Sequence, residues 1–241
     1  MVTGGARGIG EAICRRLARA GCGVCINYYS SADEAEALSL ELEDLGVQSF
    51  AFQANVTDQP AVKEMIEAIR EKFGKLDILV SNAASGVLRP ALEMTKKHWR
   101  WCLETNALAL NHLVQQARPL MGQGSRVLAL SSLGAQRAIP EYAFIGASKA
   151  ALEALVRSLS VELAPFGISL NTISAGVVDT DAIKHVPNRE KLLDEFKDRS
   201  QLGRELRASD VADAAYLLCL PEAEAIRGQT IVVDAGYSVV G

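Results

Sequence analysis

Short, continuously apolar segments alternate with longer amphipathic segments along the whole chain, and this alternation constrains the fold more than any other feature. Residues 78–80 and 231–233 contain no polar side chain, which is typical of parallel strands that helices cover on both faces. The predicted strands are 1–3, 23–28, 48–53, 77–81, 125–131, 168–173 and 229–234, and the predicted helices are 9–20, 31–45, 60–73, 95–121, 142–165 and 208–220. This order predicts an α/β fold with a doubly wound parallel sheet flanked by helices.

No linker-like stretch interrupts the 241 residues, so we predict one domain, 1–241. Apolar residues make up 49% of the chain, enough for a large buried core, yet no run approaches the roughly 18 apolar residues of a membrane span. The first residues lack the pattern of a secretion signal, so we expect a cytoplasmic protein. Only Met1 and Val2 precede the first glycine turn, which is short for a central strand, so we expect a start codon further upstream or the loss of a few residues.

The net charge of −4 and the pI near 5.5 provide no basic face for phosphates. This argues against a nucleic-acid partner and favours small molecules or proteins. Cys22 and Cys25 form a C-x-x-C, but no second pair or nearby histidine completes a metal site. We expect no metal, and we interpret Cys25 as facing the core from the second strand and Cys22 as filling a turn.

A glycine turn lies between the first predicted strand and the first predicted helix. Gly4, Gly8 and Gly10 would let the backbone come close to a pyrophosphate, whose charge the free N–H groups at a helix start favour. The spacing differs from the G-x-G-x-x-G fingerprint of dinucleotide-binding Rossmann domains, and a tight turn alone would also explain it. Dinucleotide binding by a Rossmann domain is the stronger interpretation, because every motif lies at a predicted strand end.

The second predicted strand ends without a carboxylate. Residues 27–31 read Asn-Tyr-Tyr-Ser-Ser, whereas an acid usually holds an adenosine ribose with a free 2′-hydroxyl at this point. No acid there repels a 2′-phosphate, Arg7 can pair with one, and the hydroxyls of Ser30 and Ser31 can donate to it. Together with Tyr28, these residues predict NADPH rather than NADH.

Tyr142 lies seven residues before Lys149. Seven residues are two helical turns, nearly the same face and roughly 10.5 Å along the axis. Both side chains can therefore contact one ligand between them.

The glycine turn, Ser81-Asn82-Ala83-Ala84 after an apolar strand, and the later serine, tyrosine and lysine together resemble the short-chain dehydrogenase/reductase family over essentially the whole chain. The resemblance implies that Asn55 and Val56 lie beside the adenine ring, that Asn82 and Ala83 line the cofactor, and that Lys149 bonds the nicotinamide ribose. The implied cofactor-binding set is Gly4, Arg7, Gly8, Ile9, Gly10, Tyr28, Ser30, Asn55, Val56, Asn82, Ala83, Lys149, Gly176, Val178 and Thr180. The last three would hold the nicotinamide end.

Ketone-reducing members of that family carry the tyrosine four residues before the lysine, where its phenol protonates the carbonyl oxygen. Here that position is Ile145, which cannot donate a proton. In an enoyl thioester, hydride reaches the β-carbon while negative charge develops on the thioester oxygen, so the donor should move with the charge, to Tyr142. The Tyr-x6-Lys spacing resembles enoyl-acyl-carrier-protein reductases, and residues 82–90 and 181–190 resemble their NADPH-dependent third type, the Bacillus kind.

Two residues match ketone-reducing members instead. Ser132, seventeen residues before Lys149, corresponds to the family's catalytic serine, and Asn106 corresponds to its helix asparagine. Ser132 either hydrogen-bonds the substrate or caps local structure. Asn106 is expected to organise a water near Lys149 rather than to touch the substrate.

The polar segment 177–207 follows the nicotinamide stretch and is predicted to be an irregular substrate lid. Within it, residues 184–207 have a small excess of positive charge that could attract an acidic carrier protein, although a solvated helix face is the simpler explanation. The family's habit of pairing subunits through its long central helices suggests a homodimer or homotetramer.

These observations predict NADPH-dependent reduction of the 2,3 double bond of trans-2-enoyl thioesters, carried by acyl carrier protein, in fatty acid or related biosynthesis. Two alternatives stay open. One is a short-chain carbonyl or 3-ketoacyl reductase with Ser132 and Tyr142 as its acid system. The other is a non-catalytic NADP(H)-binding subunit.

Overall fold

The strands form parallel ladders that meet at Val2. The computed structural model describes residues 1–180 and 189–239. Its strands are β1 (Val24–Tyr28), β2 (Ser49–Gln53), β3 (Ile78–Ser81), β4 (Arg126–Ser132), β5 (Ser169–Ala175) and β6 (Thr230–Val233). β1 pairs with β2, and β3 to β6 pair in chain order, all of them parallel. Val2 bridges Ile26 and Val80, so the order across the sheet is β2-β1-Val2-β3-β4-β5-β6.

The predicted strand at 1–3 is reduced to the single bridging residue Val2. Its backbone is nevertheless bonded on both sides, because the Val2 N–H donates to the Cys25 carbonyl at 3.0 Å and the Thr3 N–H donates to the Val80 carbonyl at 2.9 Å. These few residues therefore fill the centre of the sheet, although they are too short to count as a regular strand.

The helices are α1 (Gly8–Ala18), α2 (Ala32–Asp44), α3 (Gln59–Phe73), α4 (Lys96–Leu103), α5 (Ala109–Ala117), α6 (Ala143–Leu163), α7 (Arg189–Arg199) and α8 (Ala208–Cys219). The predictions for residues 95–121 and 177–207 need correction. The predicted helix 95–121 contains a π-helical turn at Glu104–Leu108 between α4 and α5. The predicted lid 177–207 is not irregular throughout, because it contains α7, and its residues 181–188 lie outside the described residues.

Hydrophobic clusters cover both faces of the sheet. Leu79 and Val127 belong to a cluster with side chains from α3, α5 and α6, whereas Val80 and Leu128 belong to a cluster with side chains from α1, α2 and α8. Neighbouring strand residues point to opposite faces, and both faces are apolar here. The predicted doubly wound α/β sheet is therefore confirmed.

The C-x-x-C cysteines lie where the sequence places them. Cys25 is fully buried in β1, and burial raises the pKa of its thiol to about 12. Cys22 lies in the turn after α1. Among the described helices, none is both long enough and apolar enough to cross a bilayer.

Candidate active site

The glycine turn folds tightly at the start of α1. Gly4 and Gly8 have φ angles of 59° and 60°, a left-handed backbone that favours glycine. A Cβ on Gly10 would collide with the carbonyl oxygen of Gly4 and would lie 2.6 Å from the Asn82 Nδ2. The absence of side chains keeps backbone N–H groups open at the N-terminus of α1, which favours an anion there.

Thr3 and Asn82 fasten this turn to the loop after β3. The Asn82 Nδ2 donates to the carbonyls of Thr3 and Gly4 at 2.9 and 3.0 Å. In return, the Thr3 Oγ1 accepts the N–H groups of Asn82 and Ala83 at 2.9 and 3.0 Å. Two separate predicted cofactor segments are thus joined into one surface.

Asn27 is a residue of this surface that the sequence reasoning missed. It is only 1% exposed, and its Oδ1 accepts from the Gly4 N–H at 3.3 Å while its Nδ2 donates to the Ala54 carbonyl at 3.0 Å. The signal was a lone amide at the end of an otherwise apolar strand, where a buried polar group needs partners.

The predicted adenosine end lies at the carboxyl ends of β1 and β2. Arg7 is exposed at the N-cap of α1 and precedes Gly8 and Ile9, Tyr28 is the last residue of β1, and Ser30 is exposed just beyond it. All five lie on the same edge of the sheet.

Asn55 shapes the loop after β2. Its Oδ1 accepts from the backbone N–H of Thr57 at 3.0 Å and from the Thr57 hydroxyl at 2.9 Å. Val56 between them is buried. The bonds of Asn55 to Thr57 fix the loop where the adenine ring is predicted to lie.

The predicted nicotinamide end is assembled from residues after β5. A Cβ on Gly8 would lie 3.3 Å from the Thr180 Cγ2, so the glycine turn and Thr180 are direct neighbours. Gly176 has room for no side chain, because its Cβ would lie 2.8 Å from Phe196 of α7 and 2.9 Å from the Cβ of Asp234. Val178 is buried and bridges to Leu206.

These strand ends fit a nicotinamide dinucleotide. The glycine turn at a helix N-terminus suits a pyrophosphate, and both Arg7 and Thr180 adjoin it at Gly8. The cofactor roles of the individual residues stay predictions, but the fold brings these residues to one edge.

Tyr142 lies at the N-cap of α6 and not within the helix, which corrects the predicted start at 142. Burial raises the pKa of the Tyr142 phenol, and the neighbouring Ser132 side chain lowers it, with a net shift upward. A Cβ on Gly134 would lie 2.6 Å from the Tyr142 ring, so the ring packs against that glycine.

The backbone before Tyr142 is unusual. Glu141 has a φ of 60°, a left-handed conformation that is costly for a residue with a Cβ. Its carbonyl accepts the N–H of Arg89 at 2.9 Å, from the loop after β3. That bond links the residue before Tyr142 to the same loop that contains Asn82 and Ala83.

Lys149 is 6% exposed, on the inner side of α6. Its Nζ donates to the Leu130 carbonyl of β4 at 2.6 Å. Burial disfavours the ammonium form and lowers the pKa of Lys149 to about 8. Leu130 lies two residues before Ser132, so Lys149 and Tyr142 both contact the end of β4.

Asn106 lies in the π-helical turn, a feature that is frequent at functional sites. Its Oδ1 accepts the Ser85 N–H at 2.8 Å, and its Nδ2 donates to the Ser85 carbonyl and to the Ser148 hydroxyl, both at 2.9 Å. The amide thus ties the loop after β3 to the residue that precedes Lys149. Its predicted role beside a water stays a prediction.

Comparisons with known proteins decide the family. A family model described as "Enoyl-(Acyl carrier protein) reductase" matches residues 4–238. The 1-cyclohexenylcarbonyl-CoA reductase of Streptomyces collinus is 37% identical, over 100% of this chain and 86% of its own length. The 3-oxoacyl-[acyl-carrier-protein] reductase FabG of Staphylococcus aureus is 36% identical, over 98% of this chain and 96% of its own. The chain belongs to the short-chain dehydrogenase/reductase family.

Two solved structures, the first of them of a short chain dehydrogenase, share the fold of this chain. One from Burkholderia cenocepacia, in complex with NADP, has a TM-score of 0.91 and 34% identity, and covers 98% of this chain and 96% of its own. A blue fluorescent protein from a metagenomic library, in complex with NADPH, has a TM-score of 0.90 and 31% identity, with 98% and 96% covered. The resemblance that the sequence motifs indicate is confirmed.

This short-chain dehydrogenase/reductase departs from the ketone-reducing pattern of its family at Ile145. The Ile145 side chain lies against Gly86, where a Cβ would collide with it. The Cys102 Sγ borders the same spot, 3.2 Å from that Cβ position. An apolar wall therefore stands where the family's usual phenol would be.

In the described part of the 177–207 segment, arginines pair with nearby carboxylates. The Arg189 Nη2 lies 2.5 Å from both Asp179 carboxylate oxygens, and the two Nη atoms of Arg204 contact Asp210 at 2.7 and 2.8 Å. Their charge is thus largely balanced within the protein. It lends little support to the idea that this segment attracts an acidic carrier.

Proposed function

We propose that this protein reduces the 2,3 double bond of trans-2-enoyl thioesters with NADPH. The observation that carries the proposal is the position of the phenol, which is at residue 142 and not at residue 145. Ile145 fills the ketone-type position with an apolar side chain, and the half-buried side chain of Tyr142 lies at the start of the same helix. Such a shift suits a substrate in which the charge develops away from the carbon that receives hydride.

NADPH supplies the hydride that reaches the β-carbon of the substrate. Tyr142 donates a hydrogen bond to the thioester oxygen, where the negative charge of the enolate develops. Because burial keeps the pKa of the phenol raised, it stays protonated and able to donate at neutral pH. A proton added at the α-carbon completes the saturated product.

Two further residues hold this arrangement. Ser132 orients the Tyr142 hydroxyl, whose pKa its side chain lowers. Lys149 holds the ribose hydroxyls of the cofactor, and its ammonium favours negative charge near the phenol. Its bond to the Leu130 carbonyl fixes the Nζ against the same strand end.

NADPH is the proposed cofactor for reasons of charge. Residues 29–31, directly after β1, include no carboxylate, and Arg7 with Ser30 lies at that edge to meet a 2′-phosphate. The NADP and NADPH complexes of the two similar structures support this choice.

An acyl thioester is supported by the names of the relatives. The compound in the Streptomyces collinus name, 1-cyclohexenylcarbonyl-CoA, is itself an α,β-unsaturated thioester. The matching family model names an acyl carrier protein. We propose an enoyl-acyl-carrier-protein substrate in fatty acid or related acyl-chain biosynthesis.

We also propose a homodimer or homotetramer. An apolar groove between α4–α5 and α6 is lined by Trp99, Leu103 and Leu155. It lies on the long central helices through which the family pairs its subunits.

A second candidate is reduction of 3-oxoacyl thioesters. The effect of Ser132 on the pKa of the Tyr142 phenol favours it, because a serine and a tyrosine acting together are the acid system of ketone-reducing family members. The 36% identity to the Staphylococcus aureus 3-oxoacyl reductase points the same way.

The two candidates are separated by following NADPH absorbance with crotonyl-CoA and longer trans-2-enoyl thioesters beside the matching 3-oxoacyl thioesters. The proposal expects NADPH oxidation with the enoyl series. Oxidation with the 3-oxoacyl series alone would move the protein to carbonyl reduction. NADPH binding without oxidation on either series would identify a non-catalytic NADP(H)-binding subunit.

A further inference from the structure

A buried carboxylate that the proposed mechanism does not use lies directly behind the site. Glu153 is on α6, four residues after Lys149, and is only 5% exposed. Its Oε1 accepts from the Ser131 hydroxyl at 2.7 Å, and its Oε2 accepts from the Gln136 Nε2 at 3.3 Å.

The two partners of Glu153 lie on either side of the turn that carries Ser132. Ser131 precedes Ser132 at the end of β4, and Gln136 follows the short 3₁₀ turn Leu133–Ala135. The Ser132 Oγ accepts the Gly134 N–H at 3.2 Å inside this turn. The carboxylate therefore fixes both ends of one short turn to α6.

That turn provides both contacts of Tyr142 described above. Gly134 packs against its ring, and the side chain of Ser132 lowers the pKa of its phenol. Lys149 reaches the same strand through the Leu130 carbonyl. Helix α6 thus contacts the end of β4 at two successive points, first through a cation and then through a carboxylate.

We infer that Glu153 is a positioning residue that holds Ser132 and Gly134 in register with Tyr142. A carboxylate in the interior is unfavourable unless its oxygens are hydrogen-bonded, and here each oxygen has a donor. The inference rests on the proposed role of Tyr142, but it concerns the contact of Tyr142 with Ser132 and not the choice of substrate.

The experiment measures the titration of Tyr142 in the full chain labelled with ¹³Cζ-tyrosine, with Tyr142→Phe assigning the signal. Glu153→Leu removes both hydrogen bonds, and Ser131→Ala removes one of them from the other side. We expect the pKa of Tyr142 to rise in both variants, because the Ser132 side chain lowers that pKa from its position in the intact turn. Turnover should fall about tenfold, the equivalent of one hydrogen bond, with unchanged NADPH binding.

Glu153→Gln tests the same idea by conservative replacement. Its amide oxygen can accept from Gln136 and its NH₂ can donate to Ser131 once that hydroxyl rotates, so the Tyr142 pKa should return to its wild-type value. Glu162→Gln, exposed on the same helix, should leave it unchanged.

An unshifted Tyr142 signal in both Glu153→Leu and Ser131→Ala would overturn the inference, as would an equal shift in Glu162→Gln. Neither result depends on which thioester is reduced. A failure of enoyl turnover in the wild type, with the expected shifts in the variants, would instead contradict the proposed function alone.

Discussion

The Ser132 side chain lowers the pKa of the Tyr142 phenol, although Tyr142 lies three residues before the position from which ketone-reducing relatives supply their phenol. The two side chains are neighbours because Tyr142 is the N-cap of α6 and its ring packs against Gly134. The protein thus keeps a serine and tyrosine pair while placing the phenol at a new point of the site.

Ser132→Ala tests how far the reaction depends on this pair. In the enoyl account, Ser132 only orients the phenol, so kcat with enoyl thioesters should fall by no more than about tenfold. The pKa of Tyr142 should rise at the same time. A loss of a hundredfold or more with enoyl substrates would make Ser132 part of the acid system, as carbonyl reduction requires.

Arg7→Ala tests the proposed preference for the 2′-phosphate. We expect NADPH to bind about 10- to 100-fold more weakly, because a charge-assisted hydrogen bond is lost, while NADH binding changes little. Cofactor fluorescence titrations at low and high salt measure both. Arg19→Ala, at the exposed far end of α1, is the matched control. Equal weakening of both cofactors would assign Arg7 a role other than phosphate recognition.

Gly10→Ala tests the glycine turn. The added Cβ would collide with the Gly4 carbonyl and approach the Asn82 Nδ2. We expect a loss of about 1 to 3 kcal/mol of unfolding free energy and at least tenfold weaker NADPH binding. Gly122→Ala is the control, because nothing lies within 4 Å of its Cβ position. Wild-type NADPH binding in Gly10→Ala would contradict the predicted role of the glycine turn in holding the cofactor.

The buried Lys149 makes stability depend on pH in a defined direction. Its pKa is about 8 in the folded protein and 10.5 as its ordinary value. The unfolded chain therefore binds more protons between these values, and the free energy of unfolding gains up to about 3 kcal/mol as pH rises through them.

Lys149→Met lacks this contribution. Urea unfolding of the wild type and of Lys149→Met from pH 7.5 to 10.5 should give a difference that grows in favour of the wild type. The comparison cancels the opposite effect of the buried cysteines, whose pKa values are raised. A difference in unfolding free energy that stays constant with pH would show that folding does not lower the pKa of Lys149.

The order of elements and the strand-end motifs could be predicted from the sequence, because apolar runs and glycine turns are local signals. The position of Tyr142 at the N-cap could not be predicted. Glu141 before it has a left-handed backbone and is bonded to Arg89, a residue distant in the chain. Asn27 and Glu153 were also missed. Their partners Gly4 and Ser131 are more than 20 residues away in the chain and meet them only in the folded sheet.

The π-helical turn at Glu104–Leu108 could not be predicted from the sequence either. The sequence from 95 to 121 has a steady helical pattern, yet Asn106 bonds to Ser85 and Ser148 from a widened turn. The hydropathy pattern indicates which face of a helix is buried. It does not indicate an extra residue in a turn, which here is stabilised by hydrogen bonds to other segments.

The most direct test of the account measures NADPH oxidation with crotonyl-CoA in the wild type, in Tyr142→Phe and in the control Tyr216→Phe. Tyr216 lies on α8, where its ring packs under Arg16 of α1. The account predicts a fall of about 10²- to 10³-fold in kcat for Tyr142→Phe, with unchanged NADPH binding and a fully active control. A Tyr142→Phe variant that reduces crotonyl-CoA at the wild-type rate would contradict it.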